Sequence, residues 1–384
     1  MQTGRMTIGV ELFADHFFVE ARIERAEPGE ISFLLNADLA LEGAASGGAA
    51  VELVDEGPVR REFQPPLRAW RAPGERTELT LRYGGCVAFD REKGCNWNNG
   101  ICAEMACLNF YSAYVPQELP FALAQDRLVL RRGAPWFLVK GRYDATRDEW
   151  TYGGEGFDPF NLIAYRRETM QVLPGENMTV YLPSGEGREA ARQMQDLYDE
   201  ILRYENGRLF PHRDLPHTDA ACAKPGWMPG GYLRRGLIFL GDGPLQGTEA
   251  AYTLAHETAH NWCTGAPADT WEDWLNEGTA EWAAFLFLRG RGDAAAADRI
   301  LAERRETAAG KPSLRTPDGS RVPYIHSSGA ALLERAFARV GTAGMERLLR
   351  VCAELPAPKT TEAFLAALRG AGLAAAADAI ESGF

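Results

Sequence analysis

From about residue 6 to residue 183 the chain is made of short stretches in which apolar residues alternate with polar ones or run together over strand lengths. The clearest are His16-Phe17-Phe18-Val19-Glu20-Ala21-Arg22-Ile23-Glu24, Glu78-Leu79-Thr80-Leu81-Arg82-Tyr83, Arg127-Leu128-Val129-Leu130-Arg131 and Met178-Thr179-Val180-Tyr181-Leu182. Gly, Pro and Asp clusters separate them, so the pattern predicts strands. Many short strands with no convincing helix imply a β-sandwich or an open β-saddle. The pattern changes at Pro183-Ser184-Gly185. Ala190, Ala191, Met194, Leu197, Tyr198, Ile201 and Leu202 recur at i, i+3 and i+4, which predicts the first strong helix. Helices then follow over 248–263, 275–290, 293–308, 328–340, 343–354, 360–369 and 373–382. A single clear strand, Gly236-Leu237-Ile238-Phe239-Leu240, precedes the 248–263 helix. The fold class is α+β, with a β-rich sandwich or saddle-like domain over 1–185 and a mainly helical domain over 186–384.

The chemistry sits on the 248–263 helix, in His256-Glu257-Thr258-Ala259-His260. Two histidines four residues apart project from one helix face, which suits two corners of a tetrahedral zinc site. Thr248 is the expected N-cap, with Glu249 in the first turn. Tyr252, Leu254, Ala255, Ala259 and Trp262 supply the buried side, and Thr264-Gly265-Ala266-Pro267 ends the helix. Asn276-Glu277-Gly278 begins the next one, antiparallel to it, and offers Glu277 as third ligand with water in the fourth position. Glu257 lies about a quarter-turn round the helix, where it reaches that water without touching the metal. Glu281, four residues after Glu277, shares its face and reads as a carboxylate that orients one histidine ligand. One zinc ion per chain is expected.

Composition narrows the rest. At 384 residues there is room for two cores, and 46% hydrophobic with 24% charged residues is ordinary for a globular protein. A net charge of −12 excludes nucleic acid and anionic membranes as partners, since both require basic patches. No window is apolar for long enough to span a bilayer, and Met1 to Arg25 contains no signal-peptide core, so a cytoplasmic location is the expectation. Seven cysteines fit reduced thiols better than a disulfide framework. Cys86, Cys95, Cys102 and Cys107 cluster without CxxC spacing; buried or incidental thiols are the preferred reading and a structural metal the rival. Gly185-Glu186-Gly187-Arg188-Glu189-Ala190 matches G-x-G-x-x-A, the form of a dinucleotide-binding turn. An all-β region before it, without a βαβ unit, and Glu186 beside the would-be pyrophosphate speak against nucleotide binding.

The pair of segments His256-Glu257-Thr258-Ala259-His260-Asn261-Trp262 and Trp274-Leu275-Asn276-Glu277-Gly278-Thr279-Ala280 resembles the aminopeptidase N family of gluzincin metallopeptidases. That family has HExxH-x-W followed by WLNEG, with the last Glu as zinc ligand. Tyr204-Glu205-Asn206-Gly207 through Phe210-Pro211 is similar to the entry into its catalytic domain. Gly230-Gly231-Tyr232-Leu233-Arg234-Arg235-Gly236 stands where the family has its GAMEN edge strand, and Tyr324-Ile325-His326-Ser327-Ser328-Gly329 resembles its Tyr-x-x-Gly helix start. The resemblance implies a saddle domain followed by a thermolysin-like catalytic domain, with Gly230, Gly231 and Tyr232 binding substrate backbone. Three departures bear on substrate. Sixteen residues separate His260 from Glu277, where the family usually has eighteen. The GAMEN glutamate, which holds the substrate's α-amine, falls on Leu233. The large helical domain that closes over substrate in many relatives does not follow.

The function implied is zinc-assisted hydrolysis of a peptide or small protein, with Glu257 as general base. The tetrahedral oxyanion needs a second donor. Counting back three residues from Gly329 lands on His326, where the family has tyrosine, and Tyr324 is the competing candidate. Without the amine-binding carboxylate a strict aminopeptidase is not expected, unless Glu272, Asp273 or Glu281 reaches the same space. Hydrolysis of a non-peptide substrate and a catalytically reduced binding module are the alternatives; the intact Glu257 speaks against the second.

Overall fold

In the computed structural model, which describes residues 3–60, 65–90, 96, 98–153, 161–183, 187–224, 227, 231–234, 236–241 and 246–384, strands dominate the first half. They are β1 (Thr3–Leu12), β2 (Phe17–Asn36), β3 (Ala40–Ser46), β4 (Ala49–Ala50), β5 (Val54–Val59) and β6 (Leu67–Gly85). Next come β7 (Gly100–Ile101), β8 (Met105–Leu108), a 3-10 turn at Phe110–Ser112, β9 (Ala122–Arg131), β10 (Trp136–Leu138) and β11 (Arg142–Asp144). The strands β12 (Glu149–Gly153), β13 (Leu162–Arg166), β14 (Gln171–Leu173) and β15 (Met178–Leu182) complete that half. The second half begins with α1 (Arg188–Tyr204), a π turn at Glu205–Leu209, β16 (Thr218–Cys222), β17 (Gly231–Arg234) and β18 (Leu237–Leu240). It continues with α2 (Gly247–Ala259), a 3-10 turn at Trp271–Asp273, α3 (Trp274–Gly290), α4 (Ala294–Ala308), α5 (Ile325–Glu354), α6 (Thr361–Gly370) and α7 (Ala374–Glu381).

Among the described residues the strands form three sheets. A nine-stranded sheet runs β11-β12-β9-β1-β2-β6-β3-β4 with β5 also on β6, a four-stranded sheet runs β10-β13-β8-β7, and a five-stranded sheet runs β14-β15-β16-β18-β17. Side-chain alternation shows how they stack. In β8 and β13, Ala106, Leu108, Leu162 and Ala164 belong to the core shared with the nine-stranded sheet. Met105, Cys107, Ile163 and Tyr165 turn the other way, onto Tyr181, Ala221, Leu237 and Phe239 of the five-stranded sheet. The opposite face of that sheet, Val180, Leu182, Ala220, Cys222, Ile238 and Leu240, packs on the helices. The order of layers is therefore nine-stranded sheet, four-stranded sheet, five-stranded sheet, helices. Burial on both faces is why Leu237-Ile238-Phe239-Leu240 is continuously apolar.

This half keeps close to the sequence expectation, with two differences, at the start of α2 and in the strands before it. The α2 helix takes Gln246, not Thr248, as its N-cap, without a side-chain bond. The two helices expected at 328–340 and 343–354 are there, the first starting earlier at Ile325, on either side of a break at Gly341, whose φ of 64° and ψ of −170° are not helical. Before α2 there are two further strands, β16 and β17. The junction at residue 185 is crossed by one sheet: β15 pairs in parallel with β16, and the helical core begins at Leu173. Contrary to the expectation of no βαβ unit near the Gly185 turn, β15, α1 and β16 form one. Gly185 and Glu186 lie outside the described residues; Gly187 caps α1 with φ 98°.

Candidate metal centre

The α2 helix is buried almost all round: Ala251, Leu254, Ala255 and Ala259 are fully enclosed, and His256 and Glu257 are each 7% exposed. It stops at Ala259, so His260 occupies the C-cap and not the penultimate turn of a longer helix. The following residues fold back beneath it, with Trp262 N and Cys263 N donating to Ala259 O at 2.9 and 2.8 Å. The Trp262 indole stacks on Phe210 and donates to Pro211 O at 2.9 Å, which fixes that turn against the segment after α1. One result matters for chemistry: His260 Nδ1 lies 3.1 Å from Cys263 O. A carbonyl accepts only, so Nδ1 carries a hydrogen and Nε2 is the nitrogen left facing the site.

The connection to α3 is closed by Asn276. Its side-chain oxygen accepts from Ala266 N at 3.1 Å, and its nitrogen donates to Ala266 O at 3.0 Å and Asp273 Oδ1 at 2.8 Å. Asp273 is paired in turn with Arg321 Nε at 2.6 Å. Trp274 donates to Thr361 Oγ1 at 2.8 Å and Trp282 to Ala330 O at 2.9 Å, so both ends of the first turns of α3 are pinned to neighbouring elements. Glu277 and Glu281 then project one turn apart from a helix whose register is fixed.

Three ligand atoms meet. His256 Nε2 and His260 Nε2 are 3.3 Å apart, and Glu277 Oε2 is 3.4 Å from each. Ligands about 2.0–2.1 Å from a tetrahedral zinc ion are separated by about 3.3–3.4 Å, so the triangle has the edge length of a zinc site. Glu277 Oε2 is buried and receives no hydrogen bond of proper geometry, although imidazole nitrogens stand around it. Two facing nitrogens and a carboxylate oxygen with no good hydrogen among them fit a cation. The electrostatics agree. Burial alone would raise Glu277, yet the charges of His326 and His260 and its contacts with His256 and His260 hold it well below the usual carboxylate range. Burial alone would lower His260, yet Glu277, joined by Glu257, carries it up to about 9. Protons stand in for the charge that a metal ion brings.

A fourth group converges on the triangle. His326 Nδ1 lies 3.3 Å from Glu277 Oε2 and 3.4 Å from Glu281 Oε1. His256, Glu277 and His326 also form a group able to hold a metal ion. His326 is delivered by α5, whose Gly329 touches Gly278 of α3 backbone to backbone. Tyr324 behaves differently. It packs on the helical core, with Lys311 Nζ 6.0 Å from its ring, and none of its described contacts is to the triangle. Between the two oxyanion candidates, the one beside the ligands is His326.

No protein-family model matches the sequence, and no curated protein does. Solved structures match over the whole chain. An M1 zinc metallopeptidase from Deinococcus radiodurans superposes with a TM-score of 0.60 at 15% identity, covering 100% of this chain and 93% of that one. Yeast LTA4 hydrolase superposes with a TM-score of 0.61 at 12% identity, covering 98% of this chain and 66% of its own. The fold is that of the M1 zinc metallopeptidases.

Within that M1-like fold the edge strand runs past the centre. Among the described residues β17 is the last strand of its sheet, antiparallel to β18, and its outer edge has no strand partner. A Cβ on Gly231 would stand 2.8 Å from Phe239 O, so only glycine fits, and 3.6 Å from Glu257 Oε1, so the Glu257 carboxylate lies directly beside the strand. Leu233, two residues on, shares that face and packs on the helical core. Tyr232 points the opposite way, stacked on Phe239 and donating to Asn161 at 2.8 Å, so only its backbone faces the cleft side. Gly230, expected with them, lies outside the described residues.

The three acids that could replace the missing amine-binding glutamate are all engaged. Glu272 accepts from Thr361 N at 2.7 Å and Thr361 Oγ1 at 2.5 Å, Asp273 is held by Arg321, and Glu281 by Arg304 at 3.2 Å. Sequence reading missed Tyr252 and Arg304, which hold Glu281; Tyr252 stood out only as a core position, and nothing marks Arg304 among the other arginines of α4. The imidazole nearest Glu281 is that of His326, at 3.4 Å. The cysteines join no metal-ligand group among the described residues. Cys107 is buried and its thiol is pushed up to about 12, while Cys86 is exposed, Cys102 half-buried and Cys95 outside the described residues. No helix among the described residues is long and apolar enough to cross a membrane.

Proposed function

We propose that the protein is a zinc-dependent metallopeptidase that hydrolyses peptide bonds without requiring a free substrate amine. The observation that carries this reading is the zinc-sized triangle of His256, His260 and Glu277 with Glu257 beside it, facing an unpaired strand edge. Bound to that triangle, zinc would polarise the scissile carbonyl and acidify water. The chain's own groups do the rest. The edge of β17 aligns an extended peptide by main-chain hydrogen bonds. Glu257 takes the proton of the attacking water and hands it to the leaving amine. His326 is raised above its ordinary value: burial opposes the charge, but Glu277 and Glu281 outweigh it. When protonated, the ring carries hydrogens on both nitrogens, so one can donate to the developing oxyanion. One further fact supports indifference to the amine, and another supports a peptide as substrate. Leu233 holds the position of the amine-binding carboxylate, and a structurally similar Deinococcus radiodurans M1 metallopeptidase, at 16% identity, has been solved with the substrate Tyr-Ser-Ala.

The test is hydrolysis of a panel of free and N-acetylated peptides by zinc-loaded protein, with Glu257→Gln as control. Cleavage by the wild type and not by the variant supports the reading. No cleavage of any peptide, or equal cleavage by both proteins, contradicts it.

A further inference from the structure

Among the described residues neither His256 nor His260 is hydrogen-bonded to Glu281. His260 Nδ1 is occupied by Cys263 O at 3.1 Å, and His256 Nδ1 is buried with no partner. Yet Glu281 is a carboxylate only 1% exposed, a costly position that persists only with several partners. It has three. Arg304 Nη2 lies 3.2 Å from Oε1 and Arg304 Nε 3.3 Å from Oε2. Tyr252 OH donates to Oε2 and is itself braced by Arg304 Nη2 at 3.0 Å. The third, His326 Nδ1 at 3.4 Å from Oε1, comes from another helix, stands equally close to Glu277 Oε2 at 3.3 Å, and has its side chain 39% exposed. Arg304 and Tyr252 alone would suffice to neutralise and satisfy a structural carboxylate. Their effect here is to lock it in one rotamer, aimed at the ring.

We infer that Glu281 is a positioning residue for His326: clamped by Arg304 and Tyr252, it receives Nδ1–H and so turns the ring to present Nε2 to the cleft. The inference rests on the peptidase reading, in which His326 serves the oxyanion. It assigns the carboxylate to the donor side of the reaction and not to the metal. A carboxylate that orients a metal-binding histidine changes zinc affinity on removal, by roughly ten- to a hundredfold. One that orients an oxyanion donor changes kcat and leaves zinc affinity alone.

Four full-length proteins decide it: wild type, Glu281→Gln, His326→Ala and the double variant, each loaded with zinc. Glu281→Gln keeps the shape and should retain zinc affinity within about threefold, with kcat reduced roughly tenfold or more and KM little changed. In the His326→Ala background the same substitution should alter kcat by less than about twofold, because its route of action is gone. Glu281→Asp, which keeps the charge, should recover part of the loss. A fall in zinc affinity parallel to kcat, or the same loss in both backgrounds, overturns the assignment. A reading independent of turnover separates this inference from the peptidase proposal. In 15N-histidine-labelled protein, the His326 signal, identified by its loss in His326→Ala, should show a hydrogen on Nδ1 and shift in Glu281→Gln while those of His256 and His260 stay. Movement of the His256 or His260 signals with His326 unmoved overturns it, whether or not any peptide is cleaved.

Discussion

Gly278 and Gly329 hold α3 and α5 in backbone contact: a Cβ on either would stand 3.1 Å from main-chain carbon of the other. Gly278 follows Glu277 directly, and Gly329 lies one turn beyond His326, so this contact sets the distance between Glu277 and His326. Neither neighbour is a flexible side-chain end, and an added methyl must push the helices apart. Gly329→Ala is expected to cost about 1–3 kcal/mol and to lower kcat, with zinc still bound because α2 and α3 keep its ligands. Thermal melts and zinc titration of the variant check both parts; an unchanged melting temperature and kcat would show that the contact has slack.

Glu257→Gln removes the proton acceptor and keeps the shape. The variant should fold, bind zinc like the wild type and lose activity by roughly a hundred- to ten-thousandfold. Near-normal turnover would remove Glu257 from the mechanism.

Metal affinity should depend on pH in a direction the site fixes. Burial opposes a proton on His260, but Glu277 holds it on up to about 9 in the metal-free protein. Below that pH zinc must displace the proton, and above it the ligand is already bare. Apparent zinc affinity is therefore expected to rise by at least about tenfold per pH unit between pH 6 and 8 and to level off near 9. Competition with a chelator of known affinity measures it. A flat profile would mean that His260 is not a ligand.

Much of the centre was legible in the sequence because short-range spacing determines it. His256, His260 and Glu257 need only a helix, and Glu277 needs only that the next helix be antiparallel. Strands with strict alternation, such as those in β2 and β6, were legible for the same reason. What escaped depended on long-range packing. The β16 segment Thr218-Asp219-Ala220-Ala221-Cys222 is short and built of small residues, and it becomes a strand because β15 and β18 flank it on both sides. The clamp of Arg304 and Tyr252 on Glu281 joins three helices, and no local pattern encodes such a meeting. His326 was located by counting from Gly329; its contacts with two carboxylates required the α3–α5 approach.

Substrate choice turns on Leu233. A charge-assisted pair between a substrate ammonium and a carboxylate contributes about 1.5–3 kcal/mol. With leucine at that position, and with Glu272, Asp273 and Glu281 held by other partners, no such pair is expected. The ratio of kcat/KM for a free peptide to that for its N-acetylated form should lie near one. A ratio above about a hundred, worth about 2.7 kcal/mol, would reveal an amine-binding carboxylate elsewhere.

Calorimetric titration of metal-free protein with zinc, wild type against His256→Ala, addresses the central claim most directly. The triangle of His256, His260 and Glu277 predicts one zinc per wild-type chain, bound by three protein ligands with one position left for chemistry. His256→Ala should lose that binding while keeping the fold. Stoichiometric zinc at unchanged affinity in the variant would contradict the account and move the metal to other residues.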